Sequence, residues 1–480
     1  MAPLRPSLTA LLALSGGTAA FLGLVFSTLW PLSLFAVVGY FSSSIRSSSS
    51  KSALGYGFLF GITASMGGVW WFWDTIPLTW IAVPEGLTQF LLVGIVYGLT
   101  VLSLALPFAL AAPVIRKIPH AWYRPLVLAF MYITLEELRM WSFALFFLAP
   151  ESALAPHFSI AGLGYILTES TLILPIAQMG HYGLNGFLAL CAATILERRR
   201  APIFIGVTSI ALSLICAHAL LPTTRSESMI RVGLVSSYAP AGTFIQPSLA
   251  LIPLEQAARS GAEIVATPEG FGLAPFLDSE ERRQLYKRLF EERNGLIISS
   301  SIIHQDNGTE RAELIFETAH QGVIGSQDKI FFVPVGEYLP PLIRAAIAVA
   351  GKDALEGYEA YIKDTAVAGS SLTPATHENM RVGALLCSEL LSPTLYSNLA
   401  ERDTDLLFNL ANNSWFHGSR LLHERLQQLA KTHALRSRQY VLVAANGSPA
   451  YAVDSRGRIV GETAWDTPDV LLIDVPLQNH

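Results

Sequence analysis

The chain has 480 residues and a net charge of −5, and 14% of its residues are charged, where soluble proteins carry about 25%. The lack of a basic stripe argues against a nucleic-acid partner, and three cysteines, two of them inside apolar runs, make no disulfide framework. The charge deficit is confined to residues 1–222, so composition predicts a polytopic α-helical membrane domain there and a water-exposed domain over 229–480.

A membrane-crossing helix needs roughly 20 mainly apolar residues. Runs of that kind predict about seven spans, near residues 8–26, 28–43, 54–74, 88–114, 123–146, 172–195 and 202–221, with the second the shortest. The first run is read as a span rather than a signal peptide, because no small-x-small cleavage site follows it. Arg5, then Arg46 and Lys51, then Arg116, Lys117 and Arg124, then Arg198–Arg200 fall in alternate connections. The other connections carry Asp74, Glu85, Glu151 and Glu169 and no lysine or arginine. That alternation puts the N-terminus in the cytoplasm and delivers residues 229–480 to the outer face. In the fifth span Glu136 and Arg139 are three apart, a spacing that pairs them on one helix face. The pair is either a structural ion pair or a polar lining for a lipid headgroup. Trp70–Trp73 read as an interfacial aromatic belt.

Beyond residue 229 the pattern changes to buried strands alternating with helices. Strands are predicted at 230–236, 263–267, 295–303, 382–386, 406–410, 440–445, 451–453 and 470–475, a hairpin over 314–326, and helices at 251–260 and 423–435. Such a pattern predicts a layered α/β domain. Glu269, Lys329 and Cys387 each follow a strand, where a rigid sheet can aim side chains at one point. A cysteine nucleophile needs a base, which a carboxylate supplies, and a lysine can hold the oxyanion that forms. Spacing alone leaves the alternative that Cys387 is a small buried apolar residue.

Four segments resemble the nitrilase superfamily, and in its order: Thr267-Pro268-Glu269-Gly270, Lys329 followed by Pro334-Val335-Gly336-Glu337, Leu386-Cys387-Ser388-Glu389, and Asn412-Asn413-Ser414-Trp415-Phe416. Trp71–Asp74, Glu137–Trp141, Gly162–Tyr165, Gln178–Phe187, His423, Arg436, Arg438 and Asn446-Gly447 are similar to segments of its membrane-bound branch, the apolipoprotein N-acyltransferases. The resemblance implies an αββα sandwich beside the membrane helices of a bacterial inner membrane, with the catalytic domain periplasmic. It implies an acyl chain passed from a phospholipid, through a thioester on Cys387, to the N-terminal cysteine amine of a diacylated apolipoprotein. Glu269, Lys329 and Cys387 would be catalytic, and Glu337 and Glu389 would orient them. The Ser388 backbone N–H would join Lys329 at the oxyanion, and Asn412 and Trp415 would contact substrate. No metal or other cofactor is implied.

Residues 338–373, rich in Ala, Ile, Leu and Tyr, are expected to form a lid that dips into the membrane interface, or else an ordinary helical insertion. The sequence departs from the family's pattern at Ser388, often tyrosine, at Asn413, often aspartate, and at the extra His417. A further span expected after the catalytic domain has no counterpart, since no apolar run follows Val475. These departures leave two other readings open: a related membrane-tethered enzyme that uses another acceptor or water, such as one linked to conjugal transfer, and a non-catalytic scaffold.

Overall fold

The computed structural model describes the chain apart from residues 1–4, 81–84, 149–154, 156, 223–227, 243–245, 292, 305–308, 351–354, 357, 360–366 and 478–480. Glu151 and much of the expected lid therefore lie outside the described residues.

The first half is a helical bundle: α1 (Pro6–Val25), α2 (Leu32–Ile45), α3 (Ser50–Gly68), α4 (Leu87–Lys117), α5 (Arg124–Phe146), α6 (Gly180–Leu196) and α7 (Arg200–Ala219). Among the described residues, four stretches are long and apolar enough to cross a membrane: Pro6–Val25, Leu87–Lys117, Leu174–Leu196 and Arg200–Ala219. Helix α2 has only 14 residues. Helix α3 is rich in glycine and serine, and α5 carries Glu136, Glu137 and Arg139.

Small residues set the closest contacts of the bundle. Gly57 and Gly61 of α3 lie so near α4 that a Cβ would stand 2.6 Å from the Phe108 carbonyl oxygen and 2.8 Å from that of Ala105. Such close approach lets dispersion hold helices together where no hydrophobic effect acts between them. Pro107 inside α4 lacks the N–H that would bond the Ser103 carbonyl, and Ser142 of α5 donates to that carbonyl instead, at 2.6 Å. Arg139 donates to Glu136 at 2.6 Å and to the carbonyls of Leu104 and Ala161, with both charged side chains buried. Of the two readings of this pair, the structure supports an internal ion pair.

The second half comprises β1 (Met229–Ser237), α8 (Pro247–Arg259), β2 (Ile264–Ala266), α9 (Ser279–Phe290), β3 (Leu296–His304), β4 (Glu310–Thr318), β5 (Gly322–Asp328), α10 (Pro341–Ala350), β6 (Ala375–His377) and β7 (Met380–Leu386). It continues with α11 (Pro393–Ala400), β8 (Leu406–Asn412), α12 (Arg420–Ser437), β9 (Tyr440–Asn446), β10 (Tyr451–Val453), β11 (Ile459–Glu462) and β12 (Asp469–Pro476). Strand order runs β5-β4-β3-β2-β1-β9-β8-β7-β6, with β12 on β1 and β10 and β11 beyond β9. The join between β1 and β9 spans only Ser236–Ser237 against Ala445–Asn446, and two sheets fold face to face about it. Side chains alternate across each strand. Val232, Leu234, Ile264 and Ile298 of one sheet meet Ala384, Leu386, Phe408 and Leu442 of the other. The alternate residues Val235, Val265 and Ile297 face α8 and α9, and Leu385, Leu407 and Val443 face α11 and α12. This is the expected αββα sandwich.

Helix α12 belongs to two cores, since the same apolar cluster runs on into the bundle through Leu24, Tyr165 and Ile176. Polar contacts fix this junction. Arg425 of α12 donates to the Leu24 carbonyl at the end of α1. Ser419 donates to Asp74 at 2.5 Å, Lys431 to Glu169 at 3.2 Å, and Arg456 to the Pro222 carbonyl at 2.9 Å. Trp71 packs on Phe416, so part of the aromatic run expected to form an interfacial belt is instead part of the junction. Helix α10 buries Ile343 and Ile347 in a cluster with Leu92, Val93 and Tyr97 of α4 and leaves Val349 90% exposed. This described part of the expected lid thus leans on the bundle.

Candidate active site

Three strands deliver the expected trio. Strand β2 ends before Thr267-Pro268-Glu269, β5 ends immediately before Lys329, and β7 ends immediately before Cys387. Lys329 is the centre of the cluster. Its ammonium donates to Glu269 at 2.9 Å and to Glu337 at 2.8 Å, and its side chain is 1% exposed. Burial alone would lower this group. The carboxylates of Glu269 and Glu337, with a smaller contribution from Cys387, outweigh that and hold it well above the usual lysine range. A permanent cation therefore faces the cysteine. Glu337 also accepts from the Val333 N–H at 2.7 Å, which closes the loop that follows Lys329. Burial raises this carboxyl, and Lys329 pulls it back.

Cys387 opens a tight 3-10 turn, Cys387–Leu391, with φ +43°. A non-glycine residue holds that conformation only when its surroundings enforce it. The sharp strand-to-turn corner lifts the sulfur out of the sheet, where it lies 3.8 Å from the Asn412 carbonyl. Burial pushes the thiol far above its usual range and Glu269 adds to this, with Lys329 opposing only in part. The resting sulfur is therefore a neutral thiol that needs a base to become a nucleophile.

Glu389 is fully buried and acts as a clamp. One of its oxygens accepts from the N–H groups of Ile330 and Phe331 at 2.7 and 3.2 Å, and the other from the Leu386 N–H at 2.6 Å. The lysine loop and the cysteine turn are thereby tied through one carboxyl group. Burial pushes that carboxyl up to about 7, against the pull of these N–H bonds and of Lys329. Ser388 lies in the same turn and donates its hydroxyl to the Phe331 carbonyl at 3.0 Å.

The two residues expected to contact substrate differ in placement. The Asn412 side-chain oxygen accepts from Ser414 Oγ at 2.7 Å and from Asn446 at 2.9 Å, so it shapes the loop after β8. Trp415 is half-buried against Trp80 of the bundle, with ring centroids 5.0 Å apart. His417 bonds the Pro77 carbonyl at 2.8 Å and extends the same junction. Sequence reasoning missed the parts of this site that come from the bundle, Trp80 and residues 157–159. It met Asn446 only as half of a short motif, although Asn446 also bonds Ser237 and Ala239. Among the described residues no group of three or more His, Cys, Asp or Glu could hold a metal ion.

Residues 237–479 match the family model of the carbon-nitrogen hydrolases. The chain belongs to the carbon-nitrogen hydrolase family. It is also similar over nearly its whole length to curated relatives. An apolipoprotein N-acyltransferase of Pseudomonas putida is 24% identical over 492 residues, covering 98% of this chain and 91% of the relative. One from Geobacter metallireducens is 24% identical over 446 residues, covering 86% and 79%. One from Nitrosomonas europaea is 26% identical over 363 residues, covering 72% and 67%. Among solved structures, an amidase from Nesterenkonia sp. aligns at 16% identity and a TM-score of 0.38, over 54% of this chain and 93% of the amidase.

Proposed function

We propose that this carbon-nitrogen hydrolase is a membrane N-acyltransferase that moves an acyl chain from a phospholipid to the N-terminal cysteine amine of a diacylated lipoprotein. The observation that carries the reading is the cluster itself. A buried lysine lies between two carboxylates beside a cysteine in a strained turn, within a domain docked on apolar helices. Both substrates are lipid-anchored, and a site at the membrane surface receives them without drawing either into water.

Glu269 takes the thiol proton as Cys387 attacks the ester carbonyl. Lys329 and the Ser388 backbone N–H hold the oxyanion. Collapse breaks the ester C–O bond, Glu269 gives its proton to the leaving lysophospholipid oxygen, and a thioester remains. The lipoprotein amine then attacks the thioester. Glu269 takes a proton from the amine and returns it to the sulfur, which leaves as the thiol. Glu337 keeps Lys329 in place, and Trp415 walls the site. Arg5, Lys51 and Arg199 lie at the starts of α1, α3 and α7, opposite the ends near Leu24, Asp74 and Pro222 that touch the catalytic domain, which supports a cytoplasmic N-terminus and a periplasmic catalytic domain at the bacterial inner membrane.

The test uses detergent-purified protein, phospholipid and a synthetic diacylated lipopeptide with a free cysteine amine. The lipopeptide is expected to gain the mass of one acyl chain, and Cys387→Ala to abolish the gain. An acyl adduct on Cys387 without product would assign another acceptor. Neither product nor adduct, in folded protein, would overturn the reading.

A further inference from the structure

Phe331 lies two residues beyond Lys329, and the bundle and the catalytic domain both grip it. Its N–H donates to Glu389 and its carbonyl accepts from Ser388. Its ring packs against His157, at 4.3 Å between centroids, and against Phe158, at 4.4 Å. The segment that supplies those rings, between α5 and α6, also holds the other end of the cysteine turn. The Ser159 N–H donates to the Leu391 carbonyl at 3.0 Å, and His157 Nδ1 lies 3.4 Å from Ser392 Oγ. Residues 157–159 of the bundle therefore touch the loop that aims the ammonium and the turn that aims the sulfur.

We infer that Phe331, gripped by His157 and Phe158, is a positioning residue that sets Lys329 against Cys387 and makes the geometry of the catalytic site depend on the membrane bundle. The inference rests on the acyl-transfer reading and deepens it. Phe331 touches no reacting atom. With the ring removed, the backbone bonds to Glu389 and Ser388 remain, but the loop loses its stop on the bundle side. The ammonium then drifts from the place where the oxyanion forms. Because a misplacement of about 1 Å lowers a rate by about 100-fold, the defect should fall on acylation rather than on donor binding.

The experiment uses the full-length protein in detergent. Acylation of Cys387 is followed by intact mass in single turnover as phospholipid concentration is varied, without acceptor. Phe331→Ala is expected to lower the limiting acylation rate by about 30- to 100-fold and leave the half-saturating phospholipid concentration within about 3-fold. Phe331→Tyr should restore most of the rate. Phe158→Ala reaches the same contact from the bundle side and should reproduce the defect, so it decides the matter if Phe331→Ala does not fold. The rate of Cys387 alkylation by iodoacetamide, which forms no oxyanion but still feels Lys329 through the thiolate, should fall by less than the acylation rate does. A limiting rate within about 3-fold of wild type in both alanine variants would overturn the inference, as would a defect confined to the half-saturating concentration. If wild-type protein takes no acyl group from phospholipid, the acyl-transfer reading fails. A p-nitrophenyl ester then serves as donor, and the same comparison still tests the positioning role.

Discussion

At the residue scale, Glu389 gives the sharpest expectation. Its folded pKa lies at about 7, above the usual carboxylate value of about 4.3. Between those values the folded protein holds a proton that the unfolded chain has released, so stability falls as pH rises through that window. The full effect is about 4 kcal/mol, at about 1.36 kcal/mol per unit. Glu389→Gln cannot titrate, and thermal unfolding in detergent from pH 4.5 to 7.5 should show wild type losing stability relative to the variant. Parallel curves would place the titration elsewhere. The glutamine amide nitrogen would also meet one of the three N–H donors that Glu389 now accepts. That leaves a buried donor unpaired, at about 1–3 kcal/mol, and lowers the acylation rate through the loop it loosens. Gly447 is a second such position. Its φ is +74°, and a Cβ there would stand 2.6 Å from the Ser414 backbone. Gly447→Ala should destabilise the protein by about 1–3 kcal/mol, read as a lower melting temperature, because the loop carrying Asn413, Ser414 and Trp415 must move.

At the element scale, the α3–α4 contact is limited by backbone approach. Gly61→Leu drives a side chain into the Ala105 backbone, which a Cβ alone would approach to 2.8 Å. Overpacking of this kind costs about 1–3 kcal/mol. Gly55 lies on the same helix with nothing within 4 Å of its Cβ, so Gly55→Leu should leave the melting temperature unchanged. Equal losses in both variants would mean that the α3–α4 seam does not govern the effect, because the change to leucine raises helix propensity at either position. Most central strands were legible as short continuous apolar runs, because they are buried on both faces of the sandwich. Helix α9 was legible too, though missed: Asp278 and Glu281 form a reciprocal capping box at its start. Strands β6 and β11 carry no run of three apolar side chains like those that marked β2 and β10, and α11 has eight residues.

At the scale of the whole molecule, α12 links the two halves through Lys431 and Glu169, whose side chains are 13% and 30% exposed. Glu169→Lys should lower stability by about 1 kcal/mol, and Glu169→Lys combined with Lys431→Glu should recover most of it. A double variant no better than the single one would show that the pair is incidental. Composition, apolar runs and alternation determined that a helical bundle precedes a layered α/β sandwich, because burial periodicity is written locally along the chain. The motifs determined which residues meet at Lys329, since Glu269, Lys329 and Cys387 each follow a strand end and Glu337 closes the loop after Lys329. Only the tertiary structure decided that Glu389 ties loop to turn, that α12 serves two cores and that residues 157–159 grip Phe331. Those contacts join residues far apart in sequence, such as Phe158 and Phe331, and no local pattern encodes a packing partner supplied by a different part of the fold.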